Sequence, residues 1–266
     1  FALSIQEVHR RGFFGIAKRV KTRRYGMGLS SLSSALSGLR INQQQIDVIS
    51  NNIANVGTEG YTRKILPQST QVINGRSAGV LSDTIIRKVD LRLERDLWTQ
   101  VSATSFYNVE SDYLNRVDNF HGSPEANVSV AAEVTKLQNT FAALANAPDD
   151  QFLLSDVVDQ SIDTANKIND LADFYTTLRN DAQNEAAAAV ESINDLLGQI
   201  AELNMQIRFS NATGSTVAAT EDIRDQAVKK LSELIEVSVF TRGDGVLVVQ
   251  TQEGVELASE TPTNVV

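Results

Sequence analysis

Residues able to carry out chemistry are few in this chain, and they are scattered. Its two histidines, His9 and His121, are far apart in sequence, and it has no cysteine. That excludes disulfides, zinc–thiolate sites and thiol nucleophiles. His121 precedes Gly122 at the end of an apolar-periodic run, where a helix dipole favours a cationic ring, so it reads as a helix-end residue. The serine, threonine and lysine side chains have no base at the spacing of a known nucleophile motif. Asp149, Asp150, Asp156 and Asp159 lack the alternating ligands, central glycine and closing glutamate of a calcium loop, and read as a solvated helix face. Gly57 and Gly60 lack the length and the lysine of a phosphate loop. Arg242-Gly243-Asp244 matches an adhesion tripeptide, but its composition is also that of a hairpin turn. No catalytic, cofactor-binding or metal-binding residue is assigned, and the chain is read as a non-enzyme.

The charge distribution narrows the partners. Residues 1–26 hold seven basic side chains against one acidic, Glu7, a net +6, while the whole chain carries −9; the remainder is therefore −15. An acidic body repels nucleic acid, so no nucleic-acid partner is expected. No apolar run reaches the length of a membrane span, and no membrane partner is expected. Around Phe13 and Phe14 the apolar patch is too short for a secretory signal. Residues 1–26 are read as a non-native basic leader, with Met27 as the natural start.

The elements follow from periodicity. Leu29, Leu32, Leu36, Leu39, Ile46, Ile49 and Ile53 fall at heptad-like steps with a polar break at Gln43. A helix is predicted over about 29–54. Five serines and Gly38 weaken it in isolation, so it is expected to be ordered only once assembled. Asparagines and glycines end it between 51 and 60. Extended runs are predicted at 61–66 and 80–88 around an Asn74-Gly75 turn. Helices are predicted over 89–120, 127–146 and 151–208, then a short one carrying Ile223, Ala227, Leu231 and Leu234. Val190, Ile193, Leu197, Ile200 and Ile207 make a second stripe, with Asn204 at the missing apolar position. From Val237 the period changes to two, with a turn at 242–245.

The run from Gly28 to Arg63 resembles the N-terminal segment of flagellar axial proteins, through Asn51, Asn52, Ala54, Asn55, Thr58, Gly60 and Tyr61. That motif is shared by rod, hook and junction members. The order of Arg95-Asp96-Leu97-Trp98, Leu144 to Asp150, Ile200 to Ile207 and Asp222-Ile223-Arg224-Asp225-Gln226 is similar to the hook-associated protein 1 family. The resemblance implies a structural protein at the junction between hook and filament, exported without a cleaved signal peptide and located outside the cell in the flagellum. It implies as partners other copies in a ring, the hook protein, a second junction protein, flagellin and an export chaperone. It also implies coiled-coil packing of terminal helices, with the Leu29–Ile53 seam as the assembly contact. Rival readings are another axial protein of hook or rod type, which would turn mainly to strands after residue 90, a helical enzyme, or an adhesion module.

The expected fold is mainly α: an elongated bundle of long helices, with an N-terminal coiled-coil-forming helix and the start of a small β region at the C-terminus. The expected divisions are the leader at 1–26, an assembly helix and loop at 27–60, a helical domain at 61–235 with a mixed segment at 61–88, and a truncated β domain at 236–266.

Overall fold

The computed structural model of the chain describes residues 25–73, 75–122 and 128–266, and the side chains of all of these but 25–30, 76 and 77. Residues 1–24 of the expected leader, Asn74 of the expected turn and the side chain of Leu29 lie outside the described residues. The described chain forms two compact units, one from α1 up to Ser50 together with Leu66–Asp83, the other from Asn51–Ile65 and Thr84–Val266.

In the first unit, helix α1 (Tyr25–Ala54) carries a β hairpin made of β2 (Gln68–Ile73) and β3 (Arg76–Ser82). Ser34, Ser37, Ile41, Gln45 and Val48 recur at helical steps on one side of α1, with Ile41 and Val48 buried. Ser37 Oγ accepts the Val80 amide at 3.3 Å and donates to the Ser34 carbonyl at 2.8 Å. Gly79, at φ +129, lets the strand come this close, since a Cβ there would lie 2.5 Å from Ser37 Oγ. A hairpin of the same chain covers one face of the helix, and two of the serines that lower helix propensity, Ser34 and Ser37, are the small residues that admit the strand.

The second unit is built on helix α4 (Gln151–Thr213), 63 residues and about 95 Å long. Asp150 caps its first turn by accepting the amides of Phe152 at 2.9 Å and Leu153 at 3.4 Å, and Gly214 ends it in the left-handed conformation at φ 70. Helix α2 (Leu91–His121), capped by Asp90, runs antiparallel to α4. Tyr113 OH donates to Glu185 at 2.8 Å, Arg116 pairs with Asp181 at 2.5 Å, and the Phe120 and Phe174 rings stack at 4.1 Å. His121, at the helix end as expected, meets Tyr175 OH at 3.0 Å. Helix α3 (Val130–Asn146) lies against the first third of α4, where Gln160 donates to Glu133 at 2.9 Å.

Helix α5 (Ala218–Ser232) and an antiparallel sheet of β5 (Ser238–Thr241), β6 (Leu247–Gln250) and β7 (Glu256–Ala258) close over the last third of α4. One core joins Ile193, Leu197 and Ile200 of α4, Val228 and Leu231 of α5, Trp98 of α2, and Val239, Val249 and Leu257 of the sheet. Three short strands are marginal alone, and this sheet is stable because its inner face packs on helices. A two-residue ladder of β1 (Lys64–Ile65) with β4 (Ile86–Arg87) completes the unit.

Asn204 occupies the gap in the apolar stripe and is fully buried. Its Nδ2 donates to the carbonyls of Leu247 at 2.7 Å and Ser259 at 2.6 Å, and its Oδ1 accepts the Leu247 amide at 3.0 Å. The side chain thus replaces a neighbouring strand. Asn204→Leu keeps the branched shape and leaves those backbone groups buried without partners, at about 1–3 kcal/mol each. A loss of about 3–5 kcal/mol in urea unfolding is expected, with the m-value unchanged.

Candidate functional site

The candidate assembly residues lie on the side of α1 opposite its hairpin. Leu32, Leu36, Leu39, Ile46 and Ile49 are 45–67% exposed, and Ile53 is 68% exposed. Burying such residues gains on the order of 1 kcal/mol each at this degree of exposure, and no described residue supplies the cover. Gln43 at the polar break donates to Asp47 Oδ1 at 3.3 Å, one helical turn on.

The motif residues of the second unit form a cap and a docking loop. The Asn51 carbonyl accepts the Asn55 amide at 3.1 Å and its side chain at 2.9 Å, and Thr58 Oγ1 donates to Asn55 Oδ1 at 3.4 Å. Ala54 is the exposed last residue of the helix. Asn52 grips the strand that follows: its Nδ2 donates to the Lys64 carbonyl at 2.8 Å, and its Oδ1 accepts the Lys64 amide at 2.9 Å and Tyr61 OH at 2.9 Å. Gly60, at φ +75, lies under Gln226 of α5, where a Cβ would come within 2.0 Å of the Gln226 amide nitrogen. Gln226 donates to the Glu59 carbonyl at 2.9 Å, and Lys229 pairs with Glu59 at 2.6 Å, which holds that carboxyl below its usual range.

The loop docks through a buried cluster of charges. Lys64 and Arg87 stand directly opposite each other in the β1–β4 ladder, where like charges repel. Asp222 of α5 lies between them. Its carboxylate pairs with Lys64 Nζ and with Arg87 Nη1 at 3.3 Å, and accepts Thr62 Oγ1 at 2.5 Å and the Thr62 amide at 3.3 Å. Arg87 also binds Asp225 at 2.5 Å and Glu221 at 2.9 Å. Burial works against the charged guanidinium, yet Asp225 and Glu221 outweigh it, and the Arg87 pKa is raised. Arg224 donates to Asp225 at 3.1 Å and to the Gly245 carbonyl at 2.9 Å, which ties the cluster to the sheet. The Lys64 ammonium sits 3.8 Å from the centre of the Tyr61 ring. Burial, then the charge of Asp222, raises the Tyr61 pKa.

This arrangement fixes chain geometry. Every charge in it has its partner within the cluster. Among the described residues no group of three or more His, Cys, Asp or Glu side chains could hold a metal, and no helix is long and apolar enough to cross a membrane. Arg242 pairs with Asp244 at 2.5 Å across its own turn and with Glu260 at 3.2 Å, so the adhesion-like tripeptide closes on itself.

Sequence reasoning found both the loop motif and the Asp222–Gln226 segment but not that they bind each other, and it missed Lys64 and Arg87. Nothing in the sequence marked them, because the face of α5 that carries Asp222 and Asp225 also carries Glu221, Gln226 and Lys229 and reads as solvated.

Comparison with known proteins gives a consistent result. Residues 114–266 match the family described as flagellar hook-associated protein FlgK helical domain, and residues 32–62 match that of the flagella basal body rod protein. The flagellar hook-associated protein 1 of Bacillus subtilis is 22% identical over 240 residues, 86% of this chain and 46% of that protein. The protein of that name from Salmonella typhimurium is 28% identical over 232 residues, 81% of this chain and 40% of that protein. A solved structure of the flagellar hook junction protein FlgK from Burkholderia pseudomallei aligns with a TM-score of 0.53 at 26% identity, covering 62% of this chain and 28% of that one. The chain spans less than half the length of these relatives.

Removing Asp222 leaves Lys64 and Arg87 buried without their shared anion. Asp222→Ala is expected to destabilise the second unit by about 3–5 kcal/mol and to speed amide exchange at Thr62 and Lys64. Glu59→Ala, which removes an exposed carboxylate from a surface pair, should leave the unfolding midpoint at the wild-type value.

Proposed function

The chain belongs to the family of the flagellar hook-associated protein FlgK helical domain, and from that premise we propose that it is a structural, non-enzymatic part of the bacterial flagellum at the junction between hook and filament. The observation that carries the reading is the two-sided α1. One side is covered by the chain's own hairpin, and the other keeps Leu32, Leu36, Leu39, Ile46, Ile49 and Ile53 in solvent. An exposed heptad stripe of this length gains stability only when another helix covers it, so these residues, with Leu29, are the assembly contact.

On this reading the covering helix comes from assembly, and α1 packs in a coiled coil within a ring of copies. The hook protein lies on one side of the ring, and the second junction protein and flagellin on the other. The chain reaches that place by flagellar export with its chaperone, without a cleaved signal peptide, and functions outside the cell. A hook- or rod-type member is disfavoured, because the described chain after residue 90 is mainly helical, with four helices before a small sheet that begins only at Ser238.

Leu36→Asp places a charge in the centre of the stripe without touching the second unit. Introduced into the full-length protein, it is expected to be exported but absent from purified filaments, with loss of motility. The melting temperature of the 266-residue chain should not change. Wild-type incorporation of this variant would refute the seam.

A further inference from the structure

A cleft of about 260 Å3 lies in the second unit where the start of α2 meets α5, β4 and the sheet. Glu94 and Trp98, one helical turn apart on α2, line it together with Arg87 of β4, Arg224 and Asp225 of α5, and Val239, Phe240, Thr241 and Leu247 of the sheet. The nearby cations Lys64, Arg87 and Arg224 balance the carboxylates Glu221, Asp222 and Asp225, and each is already paired. Arg95, also on the rim, is exposed and donates to its own helix at the Leu91 carbonyl, 3.1 Å away. Glu94 is left half-buried in the same cleft as Asp225, attracted by Arg87 and Arg224 but in an ion pair with neither, and the sheet brings no titratable side chain to the cleft.

We propose that Glu94 and Asp225 form a proton-dependent latch. With a proton on Glu94, its carboxyl O–H donates to the Asp225 carboxylate and holds the first turns of α2 on α5. Loss of that proton puts an unbalanced negative charge beside Asp225, and α2 loosens around Trp98. Burial, then the charge of Asp225, pushes the Glu94 pKa up to about 7 against the pull of Arg87. The folded chain therefore holds this proton more tightly than the unfolded chain does. Stability is highest at acidic pH and falls as pH rises from the ordinary value of 4.5 to about 7. The latch is independent of the assembly role, because it is read in the isolated chain and involves no seam residue.

Trp98 is the only tryptophan and is 5% exposed, so its emission reports the cleft directly. Titrating the 266-residue chain from pH 5.5 to 9 at constant ionic strength should give one transition with its midpoint near 7. Emission should shift to the red, and amides 95–98 should exchange about tenfold faster than intrinsic rates account for. Glu94→Gln keeps a donor to Asp225 at every pH, so its emission should stay blue and unchanging. A wild-type chain without the transition, or a Glu94→Gln chain that retains it, overturns the proposal. Should the variant not fold, the Glu94 side-chain carbon resonance of the wild type decides: a midpoint near 7 supports the latch, and one in the ordinary glutamate range overturns it.

Discussion

Asp222 joins three stretches of the second unit that are remote in sequence: the loop after α1, strand β4 and helix α5. A carboxylate removed from water loses hydration worth several kcal/mol, and a single cation seldom restores it. Here Lys64, Arg87 and Thr62 converge on it, and its side chain is 8% exposed. The dependence runs both ways. Lys64 and Arg87 face each other across a ladder only two residues long, which like charges and its shortness would otherwise disfavour. The anion makes the ladder possible, and the ladder sets the separation of the two cations that suits the anion. Because Arg87 reaches on to Asp225, and Asp225 to Arg224, the arrangement extends without a break from the motif loop to the sheet.

This gives the loop motif a physical meaning. Asn52 satisfies both backbone groups of Lys64, as a partner strand would, while still part of the helix. The chain therefore leaves the helix and enters the strand at a defined distance. Tyr61 closes the bend, bonded to Asn52 through its hydroxyl and lying against the Lys64 ammonium through its ring. Gly60 is required because Gln226 occupies the space a side chain would need.

The long helices were legible because they bury one stripe over many turns, and Asp90, Ser129 and Asp150 cap them from positions just ahead of the apolar periods. The change of period at Val237 marked the sheet for the same reason. Strand β2 over Gln68–Ile73 was not read, because its residues are mostly exposed and polar and carry no alternation. The charged cluster was not legible because burial of Lys64, Arg87 and Asp222 depends on where β1, β4 and α5 meet. In a linear sequence a lysine, an arginine and an aspartate look like surface residues. Glu94 was missed for the same reason: its environment is made by α5 and not by α2.

α1 and α4 present nearly the same pattern in sequence, an apolar heptad-like stripe interrupted by one amide side chain, and they end differently. In α4 the interrupting Asn204 is fully buried, and its hydrogen-bonding groups meet the backbone of the sheet and Arg224, so its stripe is complete within the chain. In α1 the interrupting Gln43 is exposed and bonds to Asp47 on its own helix. An amide whose partner lies on the same helix leaves the surface without a buried polar demand, and any helix that covers the stripe need satisfy little beyond shape. An amide that must bond across to another element accepts only one covering. The difference separates a stripe that specifies a unique core from one able to accept cover from outside the chain, and it rests on where each amide finds its hydrogen bonds.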